Sequence, residues 1–376
     1  MASTTALPPT SNSLVLPAFG EPLAMTSKPL SQPTNGAVVV RILSTVIRPH
    51  HRAGFQGKSF LSFPVPYTPG HTAIARVISS GPDSVNLSPG QLVYVDGFVE
   101  ARDNPHGVSA ITGLLAMGPQ SEKIFKSWDG LWRDVATVPL EQCHTLNEAV
   151  LTKMGYSFGD MQMLERLALA YGAFEAAKLK PGQTVIVAPA TGNYSGAVAE
   201  VAASLGCHVI ALSRSAAKLE PLTSRHPRIT AVEIPSNAED IPAAIQEACP
   251  PSGADAYIDV SPPLPGVAVA HFAPCIAAVR PHGHIVNIGM IFQANIDLYN
   301  VLAKNLTIKG QFMYSRQQAA DTVRLVEAGI LKLGKEAGHE IVGEYALEDW
   351  EEAIRVGEGV AGWGKQILFT PKHEDQ

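Results

Sequence analysis

Between residues 184 and 289, short apolar runs alternate with segments of helical periodicity. The runs are TVIVAP, HVIALS, ITAVEI, ADAYIDVS and HIVNIGM, and apolar residues recur at helical spacing between them. Strands buried on both faces appear as continuous apolar runs, and their alternation with helices is typical of a doubly wound parallel sheet. The pattern predicts an α/β domain, which we place at residues 153–312.

The flanking sequence predicts a second, smaller domain of different character. From about residue 35 the chain shows short β-like runs separated by Pro and Gly, including AVVVRIL, TAIARVISS and QLVYV. The helix-rich end closes with QILFTP, a strand that could return to these runs. We therefore assign residues 1–152 and 313–376 to one largely antiparallel β domain. A length of 376 residues and 46% hydrophobic content favour two domains.

Composition excludes several function classes. The net charge of -6 and the lack of a basic run argue against nucleic acid or an anionic membrane as partner, so a small molecule is expected. We expect a cytosolic protein, because no signal-like start or bilayer-length apolar segment occurs. The cysteines stand far apart and predict neither a disulfide framework nor a structural zinc lobe: Cys143, Cys207, Cys249 and Cys275.

The turn PATGNYSGA, residues 189–197, joins the first run to its helix. Turns that hold a dinucleotide use glycine for the bend, for the approach of backbone to pyrophosphate and for helix packing. Gly192 stands where backbone must approach phosphate, whereas Pro189 and Ser195 occupy the other expected glycine positions and Gly196 follows one step later. A plain strand–helix turn is the alternative. The candidate cofactor residues here are Thr191, Gly192, Asn193, Tyr194 and Ser195.

The end of HVIALSRS favours a phosphorylated cofactor. An NAD-binding protein carries Asp or Glu about 20 residues beyond the turn, to bind the ribose hydroxyls. This chain has Ser213 and Arg214 there, with Lys218 one helical turn later. Arg and Lys suit a 2'-phosphate, and we predict NADPH as the cofactor. The alternative is a solvated helix start.

Landmarks along most of the chain resemble the medium-chain dehydrogenase/reductase superfamily. They are PYTPGHTAIARVISSGPDSVNLSPGQLVYV, AYGAFEAAKLKPGQTVIVAPATG, VRPHGHIVNIG, NLTIKGQFM, ALEDWEEAI and GKQILF, in family order. The resemblance implies a split GroES-like β domain with a Rossmann domain. It also implies a homodimer formed through the Rossmann domain, with the 290–310 region at the contact.

The resemblance places an altered site where zinc-dependent members bind their metal. Arg48, His71 and Glu165 match the three ligand positions, and Thr72 replaces the glutamate after the histidine. An Arg cation cannot serve as a zinc ligand, so we expect zinc-independent catalysis and no metal. His50 and His51 leave an atypical zinc site open. A simple Arg48–Glu165 salt bridge is the favoured structural explanation.

Metal-free members of the superfamily mostly reduce a C=C bond conjugated to a carbonyl. The resemblance thus implies an NADPH-dependent reductase of an activated C=C, or of a C=N or C=O bond, in an apolar specialised metabolite. His50, at the family's proton-relay position, and Tyr171 are candidate proton donors. A zinc alcohol dehydrogenase and a non-catalytic NADPH-binding protein are the alternatives.

Further expected cofactor contacts are Ser261, Asn287, Ile288, Gly289, Met313 and Lys365. Aromatic residues that could line an apolar pocket, or simply pack in the core, are Phe55, Phe60, Phe63 and Tyr67.

Overall fold

The computed structural model describes residues 7–59, 61–104, 107–263 and 269–372. The chain divides into two compact units. Unit 1 comprises Met1–Glu165, His339–Ala361 and Lys365–Gln376, and unit 2 comprises Arg166–Gly338 and Gly362–Gly364. Phe60 lies outside the described residues. Within the described ranges, no helix is both long and apolar enough to cross a bilayer.

The strands of the described chain are listed here in order. They are β1 (Thr10–Val15), β2 (Ala24–Pro29), β3 (Ala37–Ile47), β4 (Ala73–Ser80), β5 (Leu92–Val95), β6 (Phe98–Glu100), β7 (Ser109–Ile111), β8 (Leu115–Ala116), β9 (Val135–Pro139), β10 (Cys143–Thr145), β11 (Thr184–Ala188), β12 (His208–Ser213), β13 (Ile229–Glu233), β14 (Ala254–Asp259), β15 (Val279–Asn287), β16 (Thr307–Gly310), β17 (Glu340–Tyr345) and β18 (Lys365–Phe369).

The α-helices follow the same chain order. They are α1 (His51–Phe55), α2 (Pro119–Ser127), α3 (Glu148–Lys153), α4 (Phe158–Met161), α5 (Leu164–Ala176), α6 (Asn193–Ser204), α7 (Glu220–Thr223), α8 (Ile241–Ala248), α9 (Phe272–Ala277), α10 (Leu298–Ala303), α11 (Arg316–Glu327), α12 (Gly334–Ala337) and α13 (Trp350–Gly357).

Unit 1 is built on a sheet in the order β10-β5-β4-β3-β18-β17, with β9 also paired to β3. The pairs are antiparallel except for β17 and β18, so the predicted β domain is confirmed. The C-terminal run QILFTP supplies β18, which pairs with β3 and returns the chain to this sheet as expected. A core containing Trp132, Phe369 and Leu16 packs beside it. Phe55, Phe63 and Tyr67 are buried in the same core, as the packing alternative predicts.

Unit 2 contains a parallel sheet in the order β13-β12-β11-β14-β15-β16. This is the strand order of a doubly wound dinucleotide-binding fold, in which ligands bind at the carboxyl edge near the point where the order reverses. All five residues of β11 are buried, which explains its uninterrupted apolar sequence. The predicted α/β fold class is confirmed.

The two units divide later in the chain than the domain boundaries predicted near residues 153 and 313. The first division falls inside α5, between Glu165 and Arg166. The segment after residue 313 stays with unit 2 because Tyr314 and Ala319 form a small core with Ala168 of α5. Packing of a helix-rich segment, rather than the end of the parallel sheet, sets this limit.

Candidate active site and cofactor site

The ends of two neighbouring strands bring Arg48 and His71 together. Arg48 directly follows β3 and His71 lies just before β4, and the two strands pair antiparallel with Thr45 opposite Ala73. Antiparallel pairing places the end of one strand beside the start of the other. The segment leading to Glu165 is fixed on β3 by Gln162, whose Nε2 donates to the carbonyl oxygen of Ser44 at 2.6 Å.

A buried ion pair joins Arg48 to Glu165. The guanidinium Nη2 donates to Glu165 Oε2, and both side chains are at most 3% exposed. Glu165 Oε1 lies 3.5 Å from His71 Nε2. The Arg48–Glu165 salt bridge predicted from the sequence is confirmed. Removing one partner of such a pair leaves a buried, uncompensated charge, which costs about 3–5 kcal/mol.

The three histidines around this pair favour the neutral form. Burial, followed by the charge of Arg48, lowers the pKa of His50 to about 4. Burial also lowers the pKa of His51 and of His71, in the second case despite the nearby Glu165 carboxylate. Near neutral pH, His50 is therefore a neutral imidazole. It can donate or accept a hydrogen bond, but it is not the imidazolium acid that an unperturbed histidine would partly supply.

His51 is held as part of the framework. Its Nδ1 accepts the backbone N–H of Arg48 at 3.0 Å, and its ring meets Trp132 edge-on at 4.6 Å. The ring also stacks on Phe55 at 5.7 Å. These contacts hold the His51 ring and the backbone that carries Arg48 in place, so His51 has a structural role in the site.

The donor set does not suit zinc. A guanidinium at one ligand position, already bound to the carboxylate at another, gives the metal neither an available lone pair nor a free anionic ligand. In the described ranges, no group of three or more His, Cys, Asp or Glu side chains is arranged to hold a metal ion. The cluster is therefore an arginine cation, Arg48, paired with the carboxylate of Glu165.

Tyr171 belongs to unit 2, on α5. Its ring stacks with Phe174 at a centroid distance of 6.2 Å. Burial and the Glu175 carboxylate raise the pKa of Tyr171. A raised pKa makes the phenol a weaker acid, so the surroundings of Tyr171 make this side chain less suited to donate a proton.

The turn between β11 and α6 keeps space for a ligand at Gly192. Among the described residues, a Cβ on Gly192 would meet only Ser195 Oγ within 4 Å, and that hydroxyl accepts the Gly192 N–H at 2.9 Å. Gly196 takes over the packing role expected of residue 195, since a Cβ there would lie 2.6 Å from Trp363. Thr191, Asn193 and Tyr194 are half-buried around this turn. The twelve-residue helix α6 starts here, so its first N–H groups face the carboxyl edge of β11.

The cations predicted to bind phosphate follow β12. Ser213 is buried at its last position, and Arg214 and Lys218 are both exposed. Within the described part of the chain, neither side chain forms an ion pair or hydrogen bond. The Ser213 hydroxyl accepts the N–H of Ser215 at 3.1 Å and thereby shapes the loop that carries Arg214.

The ends of β14 and β15 are joined by Asp259. Its carboxylate accepts hydrogen bonds from the backbone N–H of Ser261 at 2.9 Å, from the Ser261 hydroxyl at 3.0 Å and from the Tyr257 hydroxyl at 2.5 Å. Its carbonyl oxygen accepts the N–H groups of Ile288 and Gly289, both at 3.0 Å. The predicted residues Ser261, Ile288 and Gly289 thus share one carboxyl edge, together with Asn287, which pairs with Asp259 in the sheet.

Met313 and Lys365 lie in different surroundings. Met313 adopts a positive φ of 54° and packs partly buried beside Tyr314 in unit 2. Lys365 begins β18 in unit 1, and its Nζ is 4.0 Å from Glu340 Oε2. The roles of both as cofactor contacts remain predictions.

Three residues with a place near these sites were not identified from the sequence. Gly97 packs against the carbonyl oxygen of His71, and Asp259 links the ends of β14 and β15 through hydrogen bonds. Glu233 ends β13 beside Ser213. A carboxylate at the end of an apolar, strand-like run was an available signal for Asp259, which ends the buried strand β14, and for Glu233, which ends the more exposed strand β13. Nothing in the sequence singled out Gly97, because its role depends on the close approach of two segments that lie apart in the chain.

Family models match both parts of the chain. The model for the alcohol dehydrogenase GroES-like domain matches residues 34–148, and that for a zinc-binding dehydrogenase matches residues 196–328. A curated relative in Bacillus subtilis (strain 168), named as the NADP-dependent oxidoreductase YfmJ, is 24% identical over 233 residues. That match covers 61% of this chain and 57% of the relative, so it spans little more than half of that protein's length.

Solved structures share the fold across nearly the whole chain. AibC superposes with a TM-score of 0.78 at 18% identity and covers 99% of both chains. A Sinorhizobium meliloti 1021 protein, named as a zinc-binding dehydrogenase and bound to NADP, gives a TM-score of 0.74 at 18% identity, covering 96% of this chain and 99% of its own. RspB from E. coli CFT073, complexed with NADH, gives 0.76 at 16% identity, covering 96% of this chain and all of its own.

A GroES-like β unit combined with a six-stranded dinucleotide-binding unit defines a class of two-domain oxidoreductases. With both family models matched in order, this chain belongs to the medium-chain dehydrogenase/reductase superfamily. The resemblance recognised in the sequence is confirmed.

Proposed function

We propose that the protein is an NADPH-dependent, zinc-independent reductase of an activated double bond in an apolar small molecule. The observation that carries the cofactor assignment is the pair of exposed cations after β12, Arg214 and Lys218, which form no ion pair among the described residues. A guanidinium fork and an ammonium are suitable partners for a 2'-phosphate. YfmJ, named as NADP-dependent, agrees with this choice. The solved neighbours hold either NADP or NADH and do not decide it.

The carboxyl edge of the unit 2 sheet suits the rest of the dinucleotide. Gly192 leaves room for pyrophosphate at the start of α6, where backbone N–H groups and the helix dipole favour an anion. Ser261 and Gly289, which lie just beyond the carboxyl ends of β14 and β15, would support the nicotinamide. When bound, NADPH supplies a hydride.

The Arg48 cluster supports metal-free chemistry. Hydride addition to the β carbon of an enone transfers two electrons and leaves negative charge on the carbonyl oxygen, and a proton must then reach the α carbon. Positioned donors can stabilise that charge in place of a metal. We assign this function to Arg48, held by Glu165, with neutral His50 and His71 as hydrogen-bonding groups. Because the pKa of His50 is lowered to about 4, His50 is not protonated near neutral pH and does not supply that proton as an imidazolium.

The alternative functions differ from this one in what they require of the protein. Direct reduction of C=N or C=O uses the same cofactor site and the same charge stabilisation. A zinc alcohol dehydrogenase would require Arg48 to leave the ligand position, and a non-catalytic NADPH-binding protein would need only the unit 2 site. A specialised metabolite as substrate and a cytosolic location remain parts of the proposal that rest on the family resemblance and on composition.

The decisive experiment combines cofactor titration with turnover. We expect wild-type protein to bind NADPH more tightly than NADH, and Arg214→Ala to weaken NADPH binding by about 1.5–3 kcal/mol while leaving NADH binding unchanged. Arg228→Ala is the matched control. Arg228 directly precedes β13 and so lies at the amino-terminal ends of the strands, whereas Arg214 lies at their carboxyl ends.

Turnover is followed as NADPH oxidation with panels of enones, imines and ketones, and zinc is measured in the same preparation. Stoichiometric zinc, or equal loss of NADH and NADPH binding in Arg214→Ala, would contradict the proposal. NADPH binding without turnover of any panel would favour the non-catalytic alternative.

A further inference from the structure

Glu233 places a negative charge at the proposed phosphate site. It is the last residue of β13 and stands opposite Ser213, the last residue of β12, in the parallel sheet. Its Oε2 accepts the backbone N–H of Ala216 at 3.0 Å. The carboxylate therefore reaches into the segment that carries Arg214 and Lys218.

The contact is with backbone and not with the two cations. Among the described residues, Glu233 forms no ion pair with Arg214 or Lys218, so both cations remain available to a ligand although a carboxylate lies within their segment. The Ala216 N–H already binds an oxyanion of this chain. An incoming phosphate in this segment must either displace the carboxylate or bind beside it, and both alternatives oppose its binding.

We propose that Glu233 is a specificity-determining residue that weakens binding of the cofactor's 2'-phosphate and so limits the preference for NADPH over NADH. This inference rests on the proposed function. Arg214 and Lys218 attract the phosphate, and Glu233 offsets part of that attraction. A carboxylate a few ångströms from a phosphate at an exposed site changes affinity by roughly three- to tenfold at moderate salt.

The test uses three exposed-site variants of the full chain, with NADPH and NADH titrated separately by fluorescence. Glu233→Gln removes the charge but keeps an oxygen that can accept the Ala216 N–H, so it separates charge from loop structure. Glu233→Ala removes both. Glu239→Gln is the matched control, because it removes an exposed carboxylate a few residues further along that, in the part of the chain the structure describes, makes no side-chain contact with the 214–218 segment.

We expect Glu233→Gln to bind NADPH roughly three- to tenfold more tightly, with NADH binding unchanged, and the gain to shrink at high salt. Glu239→Gln should bind both as wild type does. Unchanged NADPH affinity in Glu233→Gln would overturn the inference. Weaker NADH binding in Glu233→Gln would also overturn it, because the carboxylate would then be holding ribose hydroxyls.

The same titrations separate this inference from the proposed function. A wild-type protein that binds NADPH, with no gain in Glu233→Gln, refutes the role of Glu233 alone. A wild-type protein that binds neither dinucleotide refutes the proposed function and the role of Glu233 with it.

Discussion

At the scale of single residues, complementary charge made one contact predictable from the sequence. An arginine and a glutamate stand at two positions that would hold a common metal ion in relatives, so proximity and opposite charge together predict the Arg48–Glu165 pair, and the structure contains it. The protonation of the neighbouring histidines was not predictable in the same way. His50 looked like a proton donor because an unperturbed histidine titrates near neutral pH, but burial moves its pKa to about 4.

The lowered pKa of His50 gives a pH dependence of stability with a definite sign. In the unfolded chain the imidazole titrates near 6.5, and in the folded protein near 4, so the unfolded state binds more protons between these values. The stabilisation is present above pH 6.5 and is lost as the pH falls towards 4. We expect His50 alone to contribute about 3 kcal/mol to this loss.

Urea unfolding at several pH values checks this expectation. Replacing His50 with Asn should flatten the fall in unfolding free energy between pH 6.5 and pH 4, although His51 and His71 will retain part of it because their pKa values are also lowered. Identical slopes for wild type and His50→Asn would show that His50 does not titrate as described.

At the scale of elements, the approach of the loop after β5 to the segment before β4 fixes His71. A Cβ on Gly97 would overlap the carbonyl oxygen of His71, and the Gly97 carbonyl oxygen accepts the N–H of Thr112 at 2.9 Å. Gly97 therefore has little room to move. We expect Gly97→Ala to displace His71 and to lower the unfolding free energy by about 1–3 kcal/mol, as overpacking does.

The measurement pairs urea unfolding with the imidazole NMR signals of the histidines. Gly359→Ala is the control, since a Cβ at that position meets, among the residues that the structure describes, only a carbonyl oxygen at 3.5 Å. In Gly97→Ala the His71 signals should shift, whereas in Gly359→Ala they should not. Wild-type stability and an unshifted His71 in Gly97→Ala would contradict this account of the site.

Element type followed from sequence more readily than the exact fit between elements. Continuous apolar runs predicted the parallel strands of unit 2, because strands covered on both faces need apolar residues throughout. The glycine turn was harder, since the close-packing position moved from residue 195 to Gly196, where Trp363 takes the space. Trp363 lies far away in sequence, so local spacing cannot reveal the contact. The limit of unit 2 lies later in the chain than the boundary expected near residue 313 for the same reason, because Tyr314 packs on α5.

At the scale of the whole molecule, one edge of unit 2 has the properties of a surface that another copy covers. Within the described chain, β16 is the last strand of the sheet, and all four of its residues are exposed. The preceding helix α10 carries Leu298, Tyr299 and Leu302, each more than 70% exposed. Unpaired strand edges and contiguous apolar surface favour association. We therefore propose a homodimer through this edge, in agreement with the 290–310 contact that the family resemblance implies.

Sedimentation and light scattering test this dimer. We expect wild-type protein to be dimeric with a concentration-dependent Tm, and the double substitution Leu298→Glu with Leu302→Glu to give folded monomers, because four buried carboxylates at a two-fold contact would lie unpaired. Val85→Glu is the control, since Val85 is 92% exposed on a loop of unit 1 and should leave the dimer intact. A monomeric wild type would refute the dimer, and a double variant that stays dimeric would move the contact to another surface. If the double variant is monomeric yet binds NADPH as wild type does, the cofactor site is complete within one chain.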